Sequence, residues 1–205
     1  MLDYEGLIKE SWLLTKKDLG TWIAATILGL FGSIFLITIG PLAYGYNHMV
    51  VKSLRSENVR VKDIFEGFKL RNFFGSWIVI IVSTLPYLLI ALISSLLAYI
   101  VVFPFVYTMP LLVLRKCGGI AACKESARIA ISRPVETILI TILYGFFVNI
   151  GFLALLIGAL ITIPFAEIFL TGVVFDLTGE ERTNGTSIDE NTFLNENSPY
   201  DNFSE

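Results

Sequence analysis

The sequence predicts an all-α integral membrane protein: three hydrophobic helical hairpins, about six spans, each preceded by an amphipathic interfacial helix. Three observations lead there: an apolar composition, three long runs almost free of charge, and basic residues gathered before the first run and in the connections between them. Hydrophobic residues make up 55% of the 205 and charged residues 16%, against soluble averages of roughly 45–50% and about 25%. Mean hydropathy is +0.72. This composition excludes global disorder, a basic nucleic-acid binder and a disulfide-stapled secreted fold.

No Asp, Glu, Lys or Arg occurs from Leu19 to Val51, from Asn72 to Leu114, or from Thr137 to Phe175 except Glu167. A spanning helix needs about 20 apolar residues, so the second and third runs each hold two spans. The first run holds a tighter pair whose second helix continues to about Arg55. The hairpin tips are expected near Gly32-Ser33, within Thr84 to Ser95, and near Asn149-Gly151, and none carries a basic residue. Basic residues gather instead before the first hairpin (Lys9, Lys16, Lys17) and in the two long connections, Lys52 to Arg71 and Arg115 to Arg133. Lysine and arginine favour the cytoplasmic side, so both termini are expected there, in a multi-pass protein of the cell membrane. The start, Met1-Leu-Asp-Tyr-Glu-Gly, lacks a basic n-region, and no processing is expected.

The connections have a period of their own. Val61, Ile64, Phe65 and Phe68 fall at i, i+3, i+4 and i+7, with Lys62, Asp63, Glu66 and Lys69 on the other faces, the pattern of an amphipathic helix. Tyr4, Leu7, Ile8 and Trp12 nearly repeat it, and Ile120, Cys123, Ala127 and Ala130 follow it more weakly. Each is expected to brace its own hairpin. The chain also aligns with itself. Lys9-Glu10-Ser11 recurs as Lys124-Glu125-Ser126, 115 residues on, and Ile37-Thr38-Ile39 as Ile161-Thr162-Ile163 after a nine-residue insertion. Pro104-Phe105 precedes Pro164-Phe165 by sixty. The domain organisation expected is a helical membrane domain over 1–177 with three repeats (about 3–56, 61–116 and 119–177) and an acidic disordered tail over 178–205. Seven acids (Glu180, Glu181, Asp189, Glu190, Glu196, Asp201, Glu205) stand in that tail against Arg182 alone, a composition unable to bury a core.

The stretch Gly40-Pro-Leu-Ala-Tyr-Gly-Tyr46, followed by Asp63-Ile-Phe-Glu-Gly-Phe68, resembles a signature of uncharacterised prokaryotic multi-spanning membrane proteins. Pro110-Leu-Leu-Val113, Ala121-Ala-Cys-Lys-Glu-Ser126 and Ile163-Pro-Phe165 are similar to the same group, which includes the membrane domain of glycerophosphodiester phosphodiesterases. The resemblance covers roughly residues 5–178. It implies a helical membrane domain and no catalytic residue, because the phosphodiesterase chemistry resides in a separate domain.

Motifs of cofactor or nucleophile chemistry are missing: no Gly-x-Gly-x-x-Gly, Walker loop, serine elbow or His-Glu-x-x-His occurs. One histidine, His48, with Cys117 and Cys123 does not make a four-ligand zinc site unaided. Neither metal nor cofactor is expected. Glu167 stands apart as the acid inside an apolar run, three residues after Pro164. Ionisable groups at membrane depth are costly and are functional hypotheses by default. The leading expectation for Glu167 is a protonated or hydrogen-bonded structural carboxyl, with a proton- or cation-handling site as the alternative. Tyr46, Asn47 and His48 are its expected polar neighbours from the first hairpin, and the repeat puts Tyr107 and Ala43 at equivalent depth. The leading expectation is a non-enzymatic scaffold or partner-binding module. The alternative is a small transporter or channel in which Glu167 handles a proton or cation. A lipid-modifying enzyme ranks third. Membrane lipids and a second membrane or cytoplasmic protein are the expected partners, with no nucleic acid.

Overall fold

The computed structural model describes residues 3–91, 103–153 and 158–180. Every described element is helical: α1 (Tyr4–Lys17), α2 (Leu19–Gly32), α3 (Ile39–Leu54), α4 (Leu70–Ala91), α5 (Thr108–Leu114), α6 (Gly119–Ser132), α7 (Pro134–Leu153) and α8 (Ala159–Thr178), with 3₁₀ segments at Leu36–Thr38, Val61–Phe68 and Phe103–Phe105. Among the described residues, α8 alone is long and apolar enough to cross a membrane by itself. The pairs Val61–Phe68 with α4 and α6 with α7 qualify only when joined across bends of 81° and 110°. At 14 residues, α2 is about 21 Å long, short of a hydrocarbon layer of about 30 Å.

Outgoing helices lie outside and returning helices inside. α3, α5 and α8 touch one another in the centre, while α2, α4 and α7 pack around them. α8 is apolar around most of its circumference, as suits a central helix, and buries Phe169, Val173, Val174 and Phe175 completely. The outer helices leave large apolar side chains uncovered: Ile27 and Phe31 on α2, Phe74 and Ile81 on α4, Ile138, Ile142 and Phe146 on α7. The three returning helices end alike, each followed by a residue with left-handed backbone: Ser56 (φ 55°), Lys116 (φ 47°) and Gly179 (φ 66°). Glycine takes that geometry freely, while Ser and Lys do so at a cost of about 1 kcal/mol.

The amphipathic elements do not chiefly brace their own hairpins. Val61–Phe68 packs most closely on α3, α6 on α4, α5 and Phe103–Phe105 together, and α1 on α8. Each thus leans on the preceding unit, on its returning helix and in the case of α6 on the outgoing α4 as well, with the first unit closing onto the third. The repeat motifs meet at two of these contacts. Ser126 Oγ donates to the Pro104 carbonyl at 2.7 Å, and Trp12 sets its ring edge-on to Phe165 at 6.2 Å. At the remaining contact, Gly67 backs onto the Pro41 carbonyl and Gly45 onto that of Ile64, with no room for a Cβ.

The segment Val61–Phe68 is 3₁₀ rather than α. With three residues per turn, Val61, Ile64 and Gly67 align in one column. That column turns inward, burying Ile64 and Gly67, while Phe65 and Phe68 are exposed. Close approach through Gly67 selects the tighter winding. Asp63 fastens the segment, accepting from the Arg60 N–H at 3.0 Å and from Lys52 Nζ at 2.8 Å. Burial alone would raise the Asp63 carboxyl, but these donors outweigh it and hold it below the usual carboxylate range. A depressed folded-state pKa contributes stability above the unfolded value, lost as pH falls through the folded one. Thermal melting of the wild type should therefore drop on acidification through and below the ordinary carboxylate range. Asp63→Asn should be less stable at pH 7 and show a shallower acid dependence; identical pH profiles would refute this assignment.

Two boundaries move. The third tip expected near Asn149-Gly151 is helical, since α7 runs on to Leu153 and Asn149 Nδ2 bonds back to the Gly145 carbonyl at 2.7 Å. Helix α8 runs to Thr178 and the chain is held by contacts through Glu180, past the expected start of the tail at 178. Glu180 joins Arg115 at 3.3 Å and Arg55 at 3.8 Å, and Arg115 also holds Glu125 at 3.0 Å. One carboxylate thereby ties the ends of α3, α5 and α8. The expected disorder of 181–205 lies outside the described residues, as do residues 92–95 of the second tip region, whose earlier part, Thr84 to Ala91, belongs to α4. Truncation after Glu180 should leave detergent-extracted melting unchanged, whereas truncation after Thr178 should cost about 1 kcal/mol, the upper range for part-exposed ion pairs. Equal melting of the two truncations would remove any role for Glu180.

Candidate functional site

The helical period assembles the site. Thr26 and Leu30 on α2 and Ser33 just after it recur every three or four residues, as do Ile39, Ala43 and Tyr46 from α3, with Asn47 beside Tyr46, and Ile163 with Glu167 on α8. These faces meet around a cleft of about 210 Å³ that starts beside the first tip and ends at Glu167. Glu167 lies eight residues from the start of α8 and eleven from its end, or about 12 and 16 Å at 1.5 Å per residue, near the middle of the helix.

Tyr144 O–H on α7 donates to Glu167 Oε1 at 2.8 Å, and the Asn47 side chain lies beside the same carboxyl. Glu167 keeps part of its surface open. Thr26 Oγ1 lies 2.9 Å from the Trp22 carbonyl and 3.1 Å from Tyr46 Oη. The threonine proton goes to the carbonyl, which can only accept, so the Tyr46 hydroxyl donates to Thr26. Asn47 Nδ2 donates to the Ala43 carbonyl at 3.2 Å. Its Oδ1 is buried with no hydrogen-bond partner, an arrangement that costs about 1–3 kcal/mol unless something else supplies a donor.

Of the residues singled out from sequence, Tyr46 and Asn47 line the cleft with Glu167, and Ala43 does too. His48 does not: one position further round α3, it lies among Asp63, Glu66, Lys52 and Lys116. Tyr107 is fully buried elsewhere and donates to Thr137 Oγ1 at 3.3 Å. Equal depth in a repeat does not mean convergence, since the returning helices of different units turn different faces to any one point. Sequence reasoning missed Tyr144 and Thr26. A signal existed for Tyr144: the repeat offset of 115 aligns it with Gly29, and Glu167 aligns with Ala43. The third unit thus carries a Tyr–Glu pair where the first has two small residues, and both small residues line the cleft.

Elsewhere the chemistry is spare. Burial pushes the Cys117 and Cys123 thiols up, which keeps them protonated and weakly reactive at neutral pH. Among the described residues, no three His, Cys, Asp or Glu side chains converge to hold a metal ion. What remains is the Glu167 carboxyl, the hydroxyls of Tyr144, Tyr46 and Thr26, and the Asn47 amide at the foot of an apolar cleft. No family model matches the chain, and no curated protein or solved structure matches it significantly.

Proposed function

We propose that this chain is an integral membrane protein of three hydrophobic hairpins with both termini cytoplasmic, and that it is a small transporter or channel handling a proton or cation at Glu167. The uncovered apolar side chains of α2, α4 and α7 suit contact with lipid. The ionic end of the molecule, with Lys52, Arg55 and Arg115, suits the cytoplasmic face. Such a topology holds whether a hairpin crosses fully or turns back within the layer, because either way it returns the chain to its starting side. This is a helical membrane domain of the kind the resemblance to the phosphodiesterase-associated group implies.

The observation that carries the reading is Glu167, a carboxyl midway along the central helix that opens onto a cleft rather than being sealed in packing. A purely structural role is better served by enclosure, with every acceptor position filled. The scaffold reading keeps a surface of its own: Trp12, Phe65, Phe68 and Ile120 stay exposed on the amphipathic elements, although other residues of those elements pack on neighbouring units. Proton or cation flux into liposomes tests the proposal. Glu167→Gln preserves shape while removing the charge, so flux should fall to the protein-free background at matched incorporation. Wild-type flux in this variant, or none in the wild type, would overturn the proposal.

A further inference from the structure

We infer that the ligand of the Glu167 cleft is a hydrophobic amine, bound as its ammonium ion and entering from the lipid side; this rests on the reading of Glu167 as a ligand-facing group. Charge sets the first requirement. The lining holds one carboxylate and no Lys, Arg or His, so it compensates a single positive charge. Hydrogen bonding sets the second. A carboxylate accepts about four hydrogen bonds, more than Tyr144 and the neighbouring Asn47 side chain supply to Glu167. Asn47 Oδ1, enclosed and without a donor, is a further acceptor once that side chain turns toward the cleft. The foot of the cleft is therefore short of donors, which N–H groups on a cation supply and a quaternary ammonium does not.

The walls set the third requirement. Leu30, Ile39, Leu42 and Ile163 are apolar, and 210 Å³ exceeds the roughly 150 Å³ of a dry cavity that admits benzene. An alkyl or aryl tail has a place beside the charge. Access sets the last. The cleft reaches Ser33 and Ile39, which flank an uncharged tip where Ile34, Phe35, Leu36 and Ile37 are 65–75% exposed. An inorganic ion would have to cross that apolar fringe and shed its water for one carboxyl and one amide. An amphiphilic amine already partitioned into the bilayer has no such barrier.

The test uses the full chain in zwitterionic nanodiscs at neutral pH, titrated calorimetrically with benzylammonium, benzyltrimethylammonium, benzyl alcohol, and sodium or potassium chloride. Benzylammonium should bind saturably and the alcohol not at all, with the quaternary ion weaker by about tenfold or more, the worth of a hydrogen bond to a charged group. Glu167→Gln should abolish both cationic interactions. Asn47→Leu should bring benzylammonium down to the level of the quaternary ion while leaving the latter unchanged, with unliganded melting as the folding control. Should that variant not fold, the wild-type series decides alone. Equal binding of the two organic cations, or no response to benzylammonium, would overturn the amine assignment. If sodium, potassium or protons still act through Glu167 in that case, the functional reading stands without it; if no cation does, both fall.

Discussion

Replacing Gly45 by alanine should destabilise the protein by about 3 kcal/mol or more, the severe end of overpacking. The effect runs against propensity, since Gly→Ala inside a helix ordinarily gains up to about 1 kcal/mol. Gly45 stands mid-way along α3, and a Cβ there would overlap the backbone carbonyl of Ile64. A carbonyl in a 3₁₀ segment cannot step aside as a flexible side chain can. Two backbones must separate, and the fastening of Lys52 to Asp63 would open with them. Gly145 on α7 supplies the contrast: a Cβ there meets nothing within 4 Å, so Gly145→Ala should be neutral or slightly stabilising. Denaturation in matched micelles measures both. A Gly45→Ala variant as stable as the parent would mean that the close approach of α3 to Val61–Phe68 does not exist in solution.

Truncating Trp22 to alanine should cost about 3–5 kcal/mol, the usual range for removing a large buried aromatic side chain. The indole is fully buried on α2, 5.8 Å from the Tyr46 ring. The cavity left behind would adjoin the Glu167 cleft and free Tyr46 to swing away from Thr26. Flux or ligand binding should therefore weaken along with stability. Trp22→Phe separates shape from polarity. It keeps most of the ring and deletes an indole N–H that is buried without a partner, so its cost should stay below about 1.5 kcal/mol. A Phe variant as unstable as the Ala variant would show that the N–H is bonded after all. An Ala variant with unchanged melting would place Trp22 at the surface.

The helical class, the amphipathic connections and the special standing of Glu167 were legible along the chain because each depends on local chemistry. Charge-free runs can only be buried in apolar surroundings. A 3.6 period exposes one face, and a carboxyl in an apolar helix is expensive wherever that helix packs. The ends of α2 at Gly32 and of α3 at Leu54 follow the same local rules. Tyr46 and Asn47 were found because the turn of α3 brings them to the level of Glu167.

What the tertiary structure alone decided was which face meets which neighbour. No periodicity says that α1 leans on α8 rather than on its own hairpin, because all three returning helices offer similar apolar surface. The winding of Val61–Phe68 was settled by Gly45 and Gly67, whose missing Cβ atoms let two backbones touch. Three residues per turn fits that contact, although Phe65 and Phe68 suggested an α-helix. His48 and Tyr107 dropped away from the site for the same reason that Tyr144 entered it. Sequence places a residue at a depth, and only packing sets the direction in which its side chain points.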